Sequence, residues 1–512
     1  MEARLAEVLG GLSLACDQAN AFPPGKAQRT AVIAVAVARR AGFDDDRVRD
    51  AFLLSLLRYL GCVGFAHEEA HTYGAGDDRA VRNVMSMADV ADPVRTVGAI
   101  VRGVGAGARW RDRAVAVARL LGDTDAVQRH AQAQCEVSER LARTLGASDA
   151  LASTLRYVCE RWDGRGEPRR VAGLEIPEAM RAHHIADVVE IAFHRGGLDA
   201  ARAVLRRRGG AQLDPQLCEA LLGDFDAAFE GLDGALWPRF LDAEPAPHAT
   251  LDAAGIDAVA LALGRFVDLR SVFTVGHSEG VAALADAAAQ RVGLPDDERR
   301  LLRRAAHLHD LGRLGVSSRI WDHPGPLDPM AWEQVRLHAY FTERVLHASP
   351  ALRPIAALAS GAHERLDGGG YHRAVPAAVT ARAARVLAAA DALHAMRETR
   401  PHRAAMRAAE AAKALRDEAR AGRIDARCAD AVLDAAGIAS PTPARATTLT
   451  ARELDVMRLV ARGKTNKEIG SVLGISSRTV QVHLGHAYDK AGVHSRAGAT
   501  LHMLEHGLLG DD

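Results

Sequence analysis

The chain has 512 residues, room for about three domains, and its 65 Lys+Arg are cancelled by 65 Asp+Glu, which excludes nucleic-acid binding by bulk positive charge. Six cysteines (Cys16, Cys62, Cys135, Cys159, Cys218, Cys428) lie without CxxC spacing, which excludes a disulfide framework or a zinc ribbon and points to a reducing compartment. With neither a charged-then-apolar leader nor an apolar run of about 18 residues, the chain is expected to be cytoplasmic and to have no membrane partner.

Ala, Leu and Arg dominate, aromatics are 4%, and stretches such as AVIAVAVARR and ARAARVLAAADALHAM carry apolar residues three and four apart. That period predicts an all-α fold. Two Pro-containing polar stretches, taken as linkers at 242–252 and 438–447, divide the chain into parts 1–241, 253–437 and 448–512.

The first two parts share a skeleton. Asp17 to Lys26 and Asp268 to His277 are both 9 residues; Lys26 to Tyr59 and His277 to Asp310 are both 33. Glu139 to Glu160 to Asp187 repeats, at 21 and 27, as Glu343 to Glu364 to Asp391. Repeats fix architecture before motifs do, so the two parts are read as tandem copies. The first carries about 47 extra residues between Gly61 and Glu139, by the intervals 78 against 31. His277, His309, Asp310, His338, His363 and Asp391 match Lys26, Arg58, Tyr59, Gln134, Cys159 and Asp187. Ammonium and guanidinium have no lone pair to give a metal. The first copy is therefore expected to be structural or signal-sensing, and its cations also leave open a pocket for an anion.

In the second copy, HLHDLGRLG puts His309 and Asp310 at the end of an apolar helix, aimed at one cavity. Imidazole and carboxylate without thiolate suit a divalent transition metal, iron or manganese as well as zinc. Such a cation polarises a phosphoryl oxygen, the usual route to phosphoester hydrolysis. The loop GAHERLDGGGY (361–371) is either a phosphate-approaching or metal-bearing site, with Asp367, Gly368, Gly369, Gly370 and Tyr371 as its ligand-binding residues, or helix-ending punctuation.

These elements, with VDLRSVFTVGHS, DHPGPLD, LHAYFTERVL, RVLAAADALHAM and RETRPHR in this order, resemble an HD-GYP domain, a branch of the HD superfamily of metal-dependent phosphohydrolases. The resemblance implies tandem HD-type helical domains, the first degenerate. It implies that His277, His309, Asp310 and Asp391 hold one metal, that Asp310 bridges to a second held by His338 and His363, and that Asp310 and Arg313 serve catalysis. Family members commonly hydrolyse cyclic di-GMP. The chain departs from the family pattern at Ala362, where a histidine is usual, at Arg313 for lysine, and at His372 for proline; His372 is either a compensating ligand or a loop residue.

In the third part, Thr450 with Glu453 and Thr465 with Glu468 form two capping boxes, and a turn at Gly474-Ile475-Ser476 separates two helices. This predicts a helix-turn-helix with Val480, Leu484, Ala487 and Ala491 inward. From LTARELDVMRLVARGKTNKEI through YDKAGVHSRAGA the segment resembles the LuxR-type helix-turn-helix, a four-helix domain. That implies double-stranded DNA as partner and a homodimer through the last helix. Thr465, Asn466, Lys467, Arg478 and Lys490 suit phosphates, Gln481 and Val482 base edges, with Thr479 and His486 on the same face.

Together these features predict a transcription regulator whose second copy senses or hydrolyses a phosphorylated, cyclic-dinucleotide-like ligand. The alternative is a cyclic di-GMP phosphodiesterase that its DNA-binding domain localises.

Overall fold

The computed structural model describes residues 3–65, 78–86, 92–105, 109–123, 125–373, 380–438, 449–506 and 508–509. Among the described residues the regular elements are helices, apart from one two-stranded antiparallel pair, Ala3–Arg4 with Thr250–Leu251. That pair closes the first of two compact units, Met1–Gly255 and Ile256–Asp512. Among the described residues no helix is long and apolar enough to cross a membrane.

In the first unit the AVIAVAVA run lies in the helix Lys26–Arg40, which is buried on almost every side. An all-round apolar helix must sit in the middle of a bundle, and here Asp45–Leu57 and Glu178–Arg208 pack on it. The latter is two helices meeting at Gly196–Gly197, where the backbone leaves helical geometry. Phe52 stacks on Phe240 at 5.2 Å, so the segment just before the first predicted linker belongs to this core. The extra residues of the first copy include the helices Asp78–Met85, Pro93–Gly103 and Trp110–Gly122.

In the second unit the helix His277–Arg291 takes the central place, packed by Asp296–Leu308, Arg382–Arg397 and Ala426–Ile438. Asp328 starts the helix Pro329–Ala348 by accepting from Ala331 N at 2.8 Å, with proline in its first turn, where no N–H is missed. The second predicted linker falls, beyond 438, outside the described residues. After it come Ala451–Ala461, Asn466–Leu473, Ser477–Ala491 and Arg496–Glu505, around a core of Val456, Met457, Val460, Ile469, Val480, Leu484 and Met503.

The repeat is visible in close contacts as well as spacing. A Cβ on Gly61 would stand 2.0 Å from Gln134 O and 2.5 Å from Ser138 Oγ; one on Gly312 would stand 1.9 Å from His338 O and 2.5 Å from Thr342 N. Each glycine thus lets a turn press against the backbone of a long helix. Because carbonyl and amide cannot step aside as a side-chain tip can, Gly312→Ala is expected to reach the upper end of the about 1–3 kcal/mol typical of overpacking. Chemical denaturation of the full chain measures it; a loss under about 0.5 kcal/mol, the level of a neutral surface change, would show that the contact is not close-packed.

Candidate metal centre and DNA-reading head

Five segments bring the predicted histidines and aspartates of the second copy together. His277 is the first residue of its helix, entered through Gly276 at φ +83°. His309 and Asp310 follow the helix Asp296–Leu308 directly and lead into the 3-10 turn Leu311–Gly315. Thr342 ties that turn to the His338 helix: its hydroxyl donates to His309 O at 3.0 Å and accepts from Gly312 N at 2.9 Å. His338 lies on Pro329–Ala348, Asp391 on Arg382–Arg397, and His363 between helices.

Three of the imidazoles are held by the same atom. His309 donates from Nδ1 to Ala306 O at 2.7 Å, His338 from Nδ1 to Val335 O, and His277 from Nδ1 to Glu398 Oε2 at 2.9 Å. A carbonyl only accepts, so Nδ1 of His309 and of His338 carries the proton and Nε2 presents a lone pair. Those lone pairs converge on carboxylates. His338 Nε2 is 3.2 Å from Asp310 Oδ1, and His309 Nε2 is 3.7 Å from Asp310 Oδ1 and 3.6 Å from Asp391 Oδ1. His277 Nε2 lies 3.3 Å from Asp391 Oδ1, and His363 spans Asp310 at 3.4 Å and Asp391 at 3.3 Å.

Nε2 of His309 and of His338 are buried without a hydrogen-bond partner. Lone pairs aimed at carboxylates in a dry site are unfavourable unless a cation lies among them, so the donor set fits a divalent metal. All three groups of described residues able to hold one are in this copy: His277–His309–Asp391, His309–Asp310–His363 and His277–His394–Glu398.

Arg313 is built into the wall. It donates to Asp310 Oδ2 at 2.9 Å, and its guanidinium lies 3.9 Å from the Trp321 ring centre. The glycine loop closes on Glu364, which accepts from His372 N at 3.3 Å and Arg373 N at 3.0 Å. Gly368 has φ +79°, and a Cβ on Gly370 would meet Glu364 Cα at 2.6 Å. Asp367 Oδ1 accepts from Gly369 N at 2.8 Å, and Tyr371 stacks on His363 at 4.9 Å. His372 lies 3.0 Å from Glu343 through Nε2 and belongs to the loop. Ala362, where another imidazole was expected, is fully buried.

Sequence reasoning did not find Glu398, His394, Arg400, Glu364, Thr342 or Trp321 as parts of the site. The one available signal was the charge in RETRPHR, just past the Asp391 helix.

In the first copy the ammonium of Lys26 supplies the positive charge. It is ion-paired with Asp187 and donates to Tyr59 OH at 2.8 Å, while Tyr59 OH donates to Asp187 Oδ1 at 2.9 Å. The Arg58 guanidinium lies 4.3 Å from the Tyr59 ring centre. Gln134 donates to Cys62 Sγ at 3.2 Å and accepts from Cys159 Sγ at 3.6 Å.

In the head, Thr450 and Thr465 cap their helices in capping boxes with Glu453 and Glu468. Gly474 turns at φ +66°, and Ser476 caps Ser477–Ala491. Val480, Leu484 and Ala487 are buried and Ala491 packs at their edge. Arg478, Gln481, His486 and Lys467 are exposed, Val482 is 51% exposed, and Thr479 and Asn466 are half-buried. Lys490 is engaged within the head, donating to both oxygens of Glu453 at 2.9 and 2.7 Å.

The head also touches the helices that lead into the site. Arg265 grips Glu279 at 2.7 and 3.0 Å and reaches Leu504 O at 3.4 Å. A Cβ on Gly276, the residue before His277, would lie 3.6 Å from Leu504 Cδ2 and 3.5 Å from Leu509 Cδ1; one on Gly463 would meet the Val272 side chain at 2.6 Å.

Buried imidazoles and aspartates on a helical frame define an HD-type metal centre, here joined to a helix-turn-helix head. The HD domain family matches residues 262–428, and the family of bacterial regulatory proteins, luxR family, matches 447–503. The 3'3'-cGAMP-specific phosphodiesterase 3 of Vibrio cholerae is 31% identical over 407 residues, 78% of this chain and 88% of that protein. A crystal structure of a cyclic GMP-AMP-specific phosphodiesterase from V. cholerae superposes with a TM-score of 0.60 at 28% identity, covering 86% of this chain and 99% of that one. The nitrate/nitrite response regulator NarP of Escherichia coli is 49% identical over 57 residues, 11% of this chain and 26% of NarP. The chain belongs to the HD-GYP branch of the HD-domain family and carries a C-terminal LuxR-type DNA-binding domain.

The metal-free centre has a pH signature. Burial opposes charge on His277 and His363, yet Glu398 and Asp391 raise His277 to about 10, and Asp310 and Asp391 raise His363 to about 9. A group raised in the folded state stabilises it fully below its unfolded value of about 6.5, and that stabilisation is lost as pH climbs to the folded value. Chelator-treated protein is therefore expected to lose thermal stability between about pH 7 and 10. Calorimetry across that range, with and without added metal, checks it; a flat or rising profile for the metal-free protein contradicts the arrangement.

Proposed function

We propose that this chain is a transcription regulator whose second copy recognises a cyclic dinucleotide at a divalent-metal centre and thereby alters DNA binding by the head. The observation that carries the reading is the head's contact with the segments that enter the His277 helix: Leu504 O accepts from Arg265, which also holds Glu279, and Gly463 packs closely against Val272. The phosphodiesterase named after 3'3'-cGAMP supports a cyclic dinucleotide as ligand, and cyclic di-GMP is the second compound to test. The tandem arrangement is proposed as 1–241 and 253–437, with the head at 448–512.

His277, His309, Asp310 and Asp391 would hold one cation; His338 and His363 would hold a second, sharing Asp310. Bound there, the cation supplies Lewis-acid charge to a phosphoryl oxygen, with iron or manganese better suited than zinc to a set without thiolate. Arg313, held by Asp310 and Trp321, offers a fixed guanidinium to a second phosphate oxygen. Arg336, donating at 3.1 Å to Gly370 O and Tyr371 O, sets the loop that walls the site.

Four imidazoles lie within 3.2–3.6 Å of Asp310 or Asp391, which favours a second reading: hydrolysis first, with the head localising the enzyme. One experiment separates the two. Full chain loaded with Mn²⁺ is incubated with 3'3'-cGAMP or cyclic di-GMP; linear product is followed by chromatography and DNA affinity is measured on the same sample. Ligand-dependent DNA affinity is expected. Turnover with DNA affinity indifferent to ligand would support the second reading, and His309→Ala with Asp310→Ala is expected to remove bound metal and any turnover together.

For the head, Gln481 and Val482 are assigned to base edges, and Thr465, Asn466, Lys467, Arg478, Thr479 and His486 to the surrounding backbone face. Lys467, exposed and free of the Glu453 clamp that engages Lys490, gives the cleaner test. Gln481→Ala is expected to relax sequence preference by about 1–3 kcal/mol at one position, whereas Lys467→Ala weakens all sequences alike and lowers the salt slope by about 1. Titrating a selected DNA pool at two salt concentrations reads both; absence of salt-dependent binding by the full chain would overturn the DNA-binding role.

A further inference from the structure

We infer that Glu398 is the positioning residue for His277, fixing its proton on Nδ1 so that Nε2 faces the metal. The inference rests on the proposal that this centre takes a divalent cation. His309 and His338 each find their Nδ1 acceptor three residues back, at Ala306 O and Val335 O. His277 cannot. It opens its helix, so the residue three back, Thr274, lies before that helix, where its carbonyl accepts from His277 N at 3.0 Å and receives no bond from the imidazole. The acceptor comes instead from Glu398, 121 residues on and just beyond the helix that carries Asp391. A neutral imidazole has one proton; a carboxylate acceptor at Nδ1 leaves the Nε2 lone pair directed to the site and makes it a stronger donor.

Glu398 is itself held by Arg400, with His394 packed beside it. Arg400 donates to Oε2 at 2.6 Å, and His394 Nδ1 lies 3.2 Å from Oε1. His394 fits because residue 280 is glycine: a Cβ there would stand 1.9 Å from His394 Nε2. The first copy is an internal control. The positions matching Gly280 and His394 are Arg29 and Glu190, an ion pair at 2.7 Å, and seven residues past Asp187 stands His194 rather than a carboxylate. Where the imidazole has become Lys26, the support has gone.

His277, His394 and Glu398 could also be taken as a cation site of their own. Arg400 argues against it, since its guanidinium lies beside Glu398 and 3.5 Å from His277 Nδ1, where a metal would be repelled.

The test measures Mn²⁺ affinity and stoichiometry of the full chain by chelator competition, with DNA binding by the head and the thermal transition as folding controls. Glu398→Gln is expected to weaken Mn²⁺ binding by about 10–100-fold, the usual cost of removing such a support, with stoichiometry restored at saturating metal; Glu398→Asp is expected to recover part of the affinity. Unchanged affinity in folded Glu398→Gln overturns the inference alone. One ion fewer at saturation also overturns it, by making Glu398 a ligand. A wild-type chain that binds no divalent cation overturns this inference together with the function it rests on.

Discussion

Two aspartates, Asp310 and Asp391, are buried in the centre of the second unit, and a buried carboxylate stays ionised only with positive charge close by. Most of what surrounds them answers that requirement. Four imidazoles converge on them and Arg313 pairs with one. Burial alone would raise both carboxyls; His309 and Arg313 instead hold Asp310, and His277, His309 and His363 hold Asp391, well below the usual carboxylate range. In the first unit the same requirement, posed by Asp187, is met covalently: Lys26 brings the cation on a side chain and Tyr59 shares the load. One frame has thus solved the same electrostatic problem twice, once with a tethered ammonium and once with a donor set that fits a metal.

How much of this was legible in the sequence depended on the range of the interaction. The tandem frame showed through its intervals because helices packed at fixed points keep their spacing even when the residues change; Gly61 and Gly312 meet equivalent backbone in both units. The donor set showed because imidazole and carboxylate recur at those points in one copy and not the other. The head was legible almost residue by residue, since capping boxes and an αL glycine act within four residues.

The supports were not legible, because each depends on a partner that only folding brings near. Glu398 reaches His277 across 121 residues and Lys490 reaches Glu453 across 37. Read locally, Lys490 on the outer side of a recognition helix is free to meet a phosphate; in three dimensions it holds that helix to the first helix of the head. The glycine-rich loop shows the opposite effect. Its composition suggested an approach to phosphate, yet Gly368 and Gly370 are already required by a turn and by packing on Glu364, so composition alone could not weigh one use against the other.

The contact at Gly312 has a further meaning. Because His338 O would stand only 1.9 Å from a Cβ there, the distance between the His309–Asp310 turn and the His338 helix is set by bare backbone meeting backbone. Thr342 then pins the two in register. The width of the cleft is therefore a property of the polypeptide, fixed before any ion enters. A cation held there would have to suit a gauge already cut, so that choice among divalent ions would turn on ionic radius and preferred coordination number.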